Sequence, residues 1–419
     1  MLQNIQWLHK TGGTVMIKTP LMLLIITVGL ACPMTGRADV VTEWNLRTAQ
    51  FTLDARLLAP DANRVVATTA VSVSDALTAT AGKSSPLLVK LNPSPNASIE
   101  ATVAAASHGV LVKMVPAQQA AIEAVYQAAL AKIPDGANKE GGIALGTQAA
   151  QAVLLARADA DGSASENYRP SATPGKYVPT ILPIALTVAQ RKPWLLDSCD
   201  QFRPGPPPTL ESATWARDYN EVKALGARTN SQRTPEQTEI ARFWEATNPV
   251  VYVPVAHSVA NMPGRDPVSN ARLMAVVAMA SDDALGAVFD AKYTYNFWRP
   301  VTAIRNGDND GNDATERDAA WLPFIDTPMH PEYPCAHCIV SATIGAVLKA
   351  ALAGTASPTL TTNSPTAPGK PRSWANPDEF MREVALARIY DGVHYRNSTE
   401  VGTAIGVKIG EFAAAKYFK

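Results

Sequence analysis

The chain has 419 residues, of which 47% are hydrophobic and 18% are charged, so it is long enough for one large domain or two packed ones. Lysine plus arginine number 37, and aspartate plus glutamate also number 37, which gives a formal net charge of zero. A neutral chain without long basic or acidic runs lacks the strong field that favours nucleic acid or an anionic membrane surface. We therefore expect no nucleic-acid partner.

The first 38 residues have the pattern of an export signal. Two lysines precede an apolar stretch at 21–31, and small residues flank a cleavage site between Ala38 and Asp39. The apolar stretch is shorter than the roughly 20 residues that cross a bilayer. An apolar N-terminal helix and a lipoprotein site at Cys32 are the alternatives. We predict a signal peptide over 1–38 and a periplasmic or secreted mature protein with 34 basic and 37 acidic residues, net charge −3.

Alanine-rich helical periodicity dominates the mature chain, and no run of alternating β-branched residues indicates a strand. The predicted helices lie near 41–58, 98–114, 117–133, 143–159, 209–225, 234–247, 270–304, 338–353, 376–390 and 398–416. The segment 354–371 is rich in Thr, Ser, Pro and Ala and predicts a surface loop. We expect an all-α fold of two helical bundles, an N-terminal one over 39–200 and a C-terminal one over 201–419.

The first segment with candidate functional residues is 292–300. Lys292 and Arg299 are seven residues apart, which is two turns of a helix, so we expect both cations on one helix face. Burying two cations among aromatic side chains is costly unless an anion binds them. An anion site is one explanation, and two long side chains that reach solvent are the other.

The second segment, 330–337, runs from His330 through two prolines into the apolar helix that follows. The prolines keep the approach extended. The backbone N–H groups of residues 335–337 then lie at a helix N-terminus, where anions bind. We expect His337 to point at the bound anion; a capping turn with a surface histidine is the alternative.

The third segment contains Arg388 and His394. Gly392 ends the preceding helix, and Asn397 with Glu400 three residues later predicts a capping-box start for the last helix. Arg388 therefore ends one helix and His394 stands before the next. Two unrelated polar residues are the alternative explanation.

Together the three segments supply three cations, two histidines and one helix N-terminus. This set suits an oxyanion: the cations hold its oxygens, one histidine binds or attacks the central atom, and the other carries a proton.

The order and spacing of these residues resemble the superfamily of vanadium-dependent haloperoxidases and type-2 phosphatidic acid phosphatases, in particular its bacterial haloperoxidase-like branch. The signature is Lys, six residues, Arg-Pro; then Pro-Ser-Gly-His; then Ser-Arg, five residues, His, three residues, Asp. The residues that match are Lys292, Arg299, Pro300, Pro334, His337, Arg388 and His394. The residues that depart are Cys335 and Ala336 in the second part, and Ala387 and Ser398 in the third.

The resemblance implies an all-α fold with the oxyanion site in the C-terminal bundle. The implied oxyanion-binding residues are Lys292, Arg299, Cys335, Ala336, His337 and Arg388. His394 would be the axial ligand of vanadium or a phosphatase nucleophile, with His337 as acid–base partner. Cys335 is a weaker donor than the usual serine, and Ser398 cannot supply the carboxylate that would orient His394.

The leading hypothesis for the function is a vanadate-dependent haloperoxidase, an oxidoreductase that uses hydrogen peroxide to oxidise a halide. The alternative is an exported phosphatase with a phosphohistidine at His394. The second alternative is a degenerate anion-binding protein without catalysis, which the departures at Cys335 and Ser398 would favour. The mature chain has no apolar stretch of about 20 residues, which argues against the membrane-spanning lipid phosphatases of the superfamily.

Three cysteines remain after cleavage, namely Cys199, Cys335 and Cys338. In an oxidising compartment we expect one disulfide and one free thiol. A metal or redox site at Cys335-Ala-His-Cys338 is the alternative, although no second ligand pair follows it. Cysteines one turn apart inside a helix fit disulfide geometry poorly. We therefore predict a disulfide from Cys199 to Cys335 or Cys338, with Cys335 preferred.

Overall fold

A computed structural model describes residues 39–82, 85–158, 168–179 and 181–418. The predicted signal peptide lies outside these residues. The α-helices of the described part are α1 Val40–Asp54, α2 Ala59–Ala81, α3 Ile99–Met114, α4 Gln119–Leu130, α5 Ala137–Ala156, α6 Ala213–Leu225, α7 Pro235–Phe243, α8 Pro249–Ala260, α9 Pro267–Tyr295, α10 Pro300–Ile304, α11 Ala336–Leu352, α12 Pro377–Tyr390 and α13 Arg396–Tyr417. The all-α prediction is confirmed.

The predicted surface loop at 354–371 contains the first strand of a short β-hairpin, whose second strand follows the loop directly. Strand β1, Leu360–Thr362, pairs antiparallel with β2, Arg372–Trp374. Leu360 and Trp374 face each other in this register and are both buried. The hairpin is anchored because these two apolar side chains pack into the core.

Helix α2, which the sequence did not predict, lies in the middle of the fold against α9. Of its 23 residues, 19 are buried, so polar and apolar side chains alike lie in the interior. Its hydroxyl side chains fold back onto the helix: Thr68 donates to the carbonyl of Arg64 and Ser72 to that of Thr68. Val, Thr and Ser, which have modest helix propensity, make up much of the segment, and the sequence therefore did not stand out as a helix.

Helix α8 was also not predicted. Its sequence is almost wholly apolar, and Pro254 lies inside it. A proline inside a helix removes a backbone hydrogen bond and is more typical of a helix end. Here it is tolerated inside the apolar core that α8 shares with α1 and α9.

The predicted helix 270–304 is two helices. Helix α9 ends at Tyr295, and Asn296 takes the left-handed conformation with φ 52°. The chain then runs extended through Arg299, which is the N-cap of α10 with φ −81° and ψ 154°. The expectation that Lys292 and Arg299 share one helix face was wrong, because a left-handed residue reverses the chain between them.

Helices α11 and α13 approach each other closely along a stripe of glycines on α13. A Cβ added at Gly402 would lie 2.7 Å from the carbonyl oxygen of Cys335, and one at Gly410 would lie 2.6 Å from that of Thr343. A Cβ at Gly406 would collide with the carbonyl of Ile339. Backbone therefore packs directly on backbone, and this contact fixes the position of the N-terminus of α11.

Residues 38–419 cluster as one compact unit, and the domain boundary proposed at residue 200 stays a prediction. Among the described helices, none has the length and apolar character needed to cross a membrane.

Candidate active site

Three buried cations from three separate segments meet at the N-terminus of α11. Lys292 is in the last turn of α9, Arg299 precedes α10, and Arg388 is in the last turn of α12. Each side chain is at most 1% exposed. Burial at this level is costly for a cation unless hydrogen bonds and negative charge surround it.

Lys292 is held by two backbone carbonyls of the segment before α11. Its Nζ donates to the oxygen of Pro331 at 2.9 Å and to that of Glu332 at 2.7 Å. Burial, reinforced by Arg299, lowers the pKa of Lys292 well below its ordinary value, and Glu332 opposes this. An anion bound nearby would favour the charged form and raise the pKa again.

Arg299 connects two parts of the site. Its Nε donates to the carbonyl of His330 at 3.0 Å, and one terminal nitrogen donates to the carbonyl of Val393 at 2.8 Å. The same nitrogen lies 3.3 Å from Nε2 of His394, and the other lies 3.1 Å from Nδ1 of His330. Burial lowers the pKa of Arg299 to about 10, so the side chain remains a cation at neutral pH.

Arg388 is paired on one side only. One terminal nitrogen donates to a carboxylate oxygen of Asp391 at 2.5 Å and to the carbonyl of Trp244 at 2.8 Å, whereas its buried Nε has no partner among the described residues. Burial raises the pKa of Asp391 to about 7, although Arg388 lowers it. The unpaired donor is available to a ligand oxygen.

His394 is oriented by a carboxylate that the sequence did not reveal. Its Nδ1 lies 2.6 Å from Oε1 of Glu332, which also accepts the backbone N–H of Tyr395 at 3.1 Å. The Ser398 hydroxyl lies farther away, 3.4 Å from Nδ1. A proton on Nδ1, held by Glu332, leaves a lone pair on Nε2, the nitrogen that faces Arg299. Glu332 therefore performs the orienting role that Ser398 could not.

Burial controls the protonation of this pair. It lowers the pKa of His394 well below the ordinary value, and Arg299, Lys292 and Arg388 lower it further. It raises the pKa of Glu332 to about 7, while Lys292 and Arg299 act in the opposite direction. His394 is thus neutral at physiological pH, and Glu332 loses its proton near neutrality.

His337 lies in the first turn of α11, as expected, and is buried. Burial and the charge of Arg388 lower its pKa well below the ordinary value, and the carbonyls of Ala246 and Trp244 lie beside its ring. Its Nε2 has no partner among the described residues. A neutral ring with a free buried nitrogen suits proton transfer to a bound ligand.

The predicted pairing of Cys199 is wrong: the disulfide joins Cys335 and Cys338, whose Cα atoms are 5.4 Å apart. Cys335 is the N-cap of α11, in extended conformation, so the pair is not inside a helix and the geometric objection does not apply. The thiol of Cys199 is buried against Gly286 of α9 and donates to the carbonyl of Arg191. Burial raises its pKa to about 12, so it is an inert thiol.

This disulfide also removes Cys335 from the predicted oxyanion-binding set. Its sulfur has no hydrogen to donate, and it accepts the N–H of Cys338 at 3.2 Å. Its own backbone N–H donates to the carbonyl of Ser398. The backbone N–H groups of Ala336 and His337 remain as the donors at this helix N-terminus.

A cavity of about 490 Å³ opens from the surface onto Arg299. Tyr177 is part of its lining, and the adjoining segment is tied to the site because Tyr177 donates its N–H to the carbonyl of Asn296 and Trp298 donates to that of Gly175. Of the residues that form the buried site, Arg299 lines this cavity.

The structure brings together Lys292, Arg299, His337, Arg388 and His394, as the sequence motifs predicted. Sequence reasoning missed Glu332, His330 and Asp391. Glu332 and His330 lie in the second segment and Asp391 in the third, but none of them was given a role. Glu332 meets His394 from a distant part of the chain, whereas Asp391 is three residues from Arg388, and this spacing was a usable signal.

The arrangement fits an oxyanion. Three cations outnumber the two buried carboxylates, Glu332 and Asp391, so the site has a net positive charge that a bound anion would balance. The atoms without partners, Arg388 Nε and His337 Nε2, and the first N–H groups of α11 are suitable contacts for its oxygens.

Comparison with known proteins finds a family model that matches the C-terminal part of the chain. Residues 272–419 match the family described as VCPO second helical-bundle domain. Among proteins of curated function, no sequence matches significantly.

Solved structures with the same fold cover nearly the whole chain. The chain is similar to the first bacterial vanadium-dependent iodoperoxidase of known crystal structure, with TM-score 0.75 and 22% identity over 91% of this chain and 97% of that one. It is also similar to a bacterial vanadium-dependent chloroperoxidase: TM-score 0.69 and 17% identity for the holo form, over 86% of this chain and 92% of that one. For the apo form the TM-score is 0.70 and the identity is 16%, over 86% of this chain and 94% of that one. The predicted helical-bundle fold is confirmed.

Proposed function

We propose that this chain, whose residues 272–419 form a VCPO second helical-bundle domain and whose fold is that of bacterial vanadium-dependent haloperoxidases, is an enzyme that oxidises a halide with hydrogen peroxide. The observation that carries the proposal is the neutral His394 beside three buried cations, with Nδ1 held by Glu332 and Nε2 facing the site. This is the arrangement that a metal oxyanion with one nitrogen ligand requires.

The residues present fit vanadate. Lys292, Arg299 and Arg388 would hold its oxygens, the N–H groups at the start of α11 would add two donors, and His394 Nε2 would be its protein ligand. Bound vanadate supplies Lewis-acid activation of hydrogen peroxide.

The protein's own contribution is charge balance and proton transfer. For iodide the overall reaction is H₂O₂ + I⁻ + H⁺ → HOI + H₂O. The O–O bond breaks, iodide takes one hydroxyl group as HOI, and the other oxygen leaves as hydroxide, so one proton must be delivered to the departing oxygen. His337 Nε2 is the nitrogen without a partner and is the group that would carry protons here. Buried cations stabilise negative charge on oxygen because little water screens them.

Glu332 weakens the case for a degenerate protein. The substitution of Ser398 for a carboxylate suggested lost activity, but Glu332 gives His394 its carboxylate from another segment at 2.6 Å. An exported phosphatase is the second candidate, favoured by the same lone pair on His394 Nε2, which could attack phosphorus.

The test uses purified protein depleted of vanadate and phosphate by dialysis against chelator. Orthovanadate is then titrated in, and triiodide formation from iodide and peroxide is measured, alongside p-nitrophenyl phosphate hydrolysis. We expect saturable, vanadate-dependent iodide oxidation that is absent in His394→Ala.

Hydrolysis that vanadate inhibits, without iodide or bromide oxidation at any vanadate concentration, would instead establish the phosphatase. Absence of both activities, with vanadate bound, would leave the anion-binding protein as the correct description.

A further inference from the structure

We propose that the cavity above Arg299 is a binding site for an organic anion with an apolar body, such as an aromatic carboxylate. The inference adds to the proposed function the class of organic molecule that would react with the oxidised halide. It rests on the proposed function for that reaction, but not for binding. Its evidence is the size, charge and lining of the cavity.

The cavity is larger than inorganic substrates need. Its volume of about 490 Å³ is within the range of roughly 300–1,000 Å³ of small-molecule sites. A water molecule, comparable in size to peroxide, accounts for only about 30 Å³ of liquid. The remaining space is sufficient for an aromatic ring with a short side chain.

The charge of the cavity favours an anion. The 13 described residues that line it include Arg299, Arg305 and Arg317 and no acidic residue. Arg299 is committed to the buried site beneath. Arg305 and Arg317 lie nearer to solvent and are free of that role.

Backbone contacts position these two arginines. Arg305 Nε donates to the carbonyl of Ala319 at 3.1 Å, and Arg317 Nε donates to the carbonyl of Arg305 at 3.0 Å. Holding each side chain by Nε leaves its two terminal nitrogens for a carboxylate, which is the planar fork that binds carboxylates best. The nearest acid to Arg317 is the half-exposed Asp308, at 3.7 Å from its Nε, and it competes only weakly at that distance.

Part of the lining is apolar. Val178, Ile181 and Met329 line the same cavity and are exposed at 38%, 56% and 38%, so three large apolar side chains face water there. Exposed apolar side chains that cluster at one cavity mark a binding surface more often than isolated ones do. A lining that combines arginines with exposed apolar side chains matches an amphipathic anion.

Binding is measured without peroxide or vanadate, so its outcome is independent of the reaction. The probe is 1-naphthylacetate, with the uncharged 1-naphthylacetamide as its match, in fluorescence titrations of the full chain. We expect saturable binding of the acid and at least about tenfold weaker binding of the amide, because charged hydrogen bonds are lost.

The variant Arg305→Gln/Arg317→Gln should weaken the acid by about tenfold or more and leave the amide unchanged. The control Arg47→Gln/Lys349→Gln removes the same charge from exposed sites outside the cavity lining and should change neither. Ile181→Ser should weaken both probes and tests the apolar side independently of the arginines.

Equal affinity of acid and amide, or an unchanged affinity in the arginine variant, would overturn the proposal. Displacement of the acid by orthovanadate would also overturn it, because the carboxylate would then occupy the inner site. An increased KM for iodide in the arginine variant, with no loss of naphthylacetate binding, would assign the two arginines to halide attraction instead.

Discussion

Two regions of the molecule bury carboxylates, and they treat them differently. Next to the α2–α9 core, Asp75 accepts the three backbone N–H groups of 87–89, and Asp283 accepts those of 194–196, at distances of 2.6–3.0 Å. Every oxygen of these two side chains is bonded. Each aspartate holds a loop in place, and neither side chain has an oxygen left for a ligand.

The candidate active site is as deeply buried, but some of its polar atoms have no hydrogen-bond partner. Buried atoms without a hydrogen-bond partner include Glu332 Oε2, His337 Nε2, Arg388 Nε and Asp391 Oδ1. Buried polar atoms are costly to leave unpaired, so a protein retains them where a ligand completes them. The contrast shows that burial alone does not mark a functional group. Unpaired buried atoms also occur singly elsewhere in the described part of the chain, as at Ser74 Oγ and Trp374 Nε1, and the feature of the candidate site is that several charged or titratable ones lie together.

The largest expected effect is at His394. His394→Ala removes a nitrogen that combines a carboxylate partner on one side of the ring with a lone pair facing Arg299 on the other, so turnover should fall by roughly a thousandfold or more. Steady-state iodide oxidation measures this. Vanadate binding, followed by ultraviolet difference spectra, should be lost as well; retained binding would show that the vanadium ligand lies elsewhere.

His337 should matter less than His394. His337→Ala removes a proton carrier without removing a ligand, so turnover should fall by about a hundredfold with vanadate affinity almost unchanged. Both quantities come from one titration. Equal and mild losses in the two histidine variants would contradict the assigned roles.

Arg388 should control affinity. Arg388→Ala removes a charged donor and leaves Asp391 buried without its partner, and sulfate or vanadate should bind about tenfold to a hundredfold more weakly. Arg388→Lys should also weaken binding because the planar fork is lost. Calorimetric titration with each anion measures both; unchanged affinity in the two variants would place Arg388 outside the site.

Glu332 should give the site its pH dependence. Its pKa is raised to about 7, so below pH 7 it becomes a neutral acid that no longer holds the proton on His394 Nδ1. We expect turnover to rise with pH through about 7, whereas sulfate should bind more tightly as the pH falls, because one negative charge disappears.

Glu332→Gln should remove the acidic limb of the profile and reduce turnover by about tenfold, as loss of a carboxylate behind a histidine ligand does. Asp391, whose pKa is also about 7, provides the control: in Asp391→Asn the limb should persist. Loss of the acidic limb in Asp391→Asn, with the limb retained in Glu332→Gln, would show that Asp391 and not Glu332 causes the pH dependence.

The smallest effect on the site is expected from a change at Asp283, whose carboxylate is fully hydrogen-bonded. Asp283→Asn places an amide nitrogen against backbone N–H donors, so the free energy of unfolding should fall by about 1–3 kcal/mol. Sulfate affinity and turnover of the folded protein should not change. Urea denaturation measures the free energy of unfolding, and calorimetry measures the sulfate affinity. Loss of sulfate affinity in a folded Asp283→Asn variant would contradict the distinction between the two regions.

The sequence motifs were sufficient to predict the cations and histidines of the site, because residues with fixed chemistry recur there at fixed spacing. The physical reason given for Lys292 and Arg299 was nevertheless wrong, since a left-handed Asn296 and an extended segment bring them together. Helix periodicity cannot foresee a break of one residue.

Other features depend on tertiary contacts that no local pattern contains. Glu332 and His394 are 62 residues apart, so their contact exists only once two loops meet. The disulfide was misassigned because Cys335 was placed inside a helix rather than at its cap. Helix α2 was missed because its Val, Thr and Ser residues have modest helix propensity, and its packing in the interior against α9 compensates for this.

The glycine stripe of α13 has a consequence for how the site responds to a ligand. Where Gly402 and Gly406 meet α11, they face backbone atoms and the Cβ atoms of Cys338 and Ala342, none of which can rearrange by changing rotamer. The helix end that faces the oxyanion therefore cannot adjust by repacking side chains, and little conformational entropy remains to be lost on binding. Preorganisation of this helix end therefore contributes to affinity. Substitutions of surface residues should be tolerated far better than one added methyl group at Gly402.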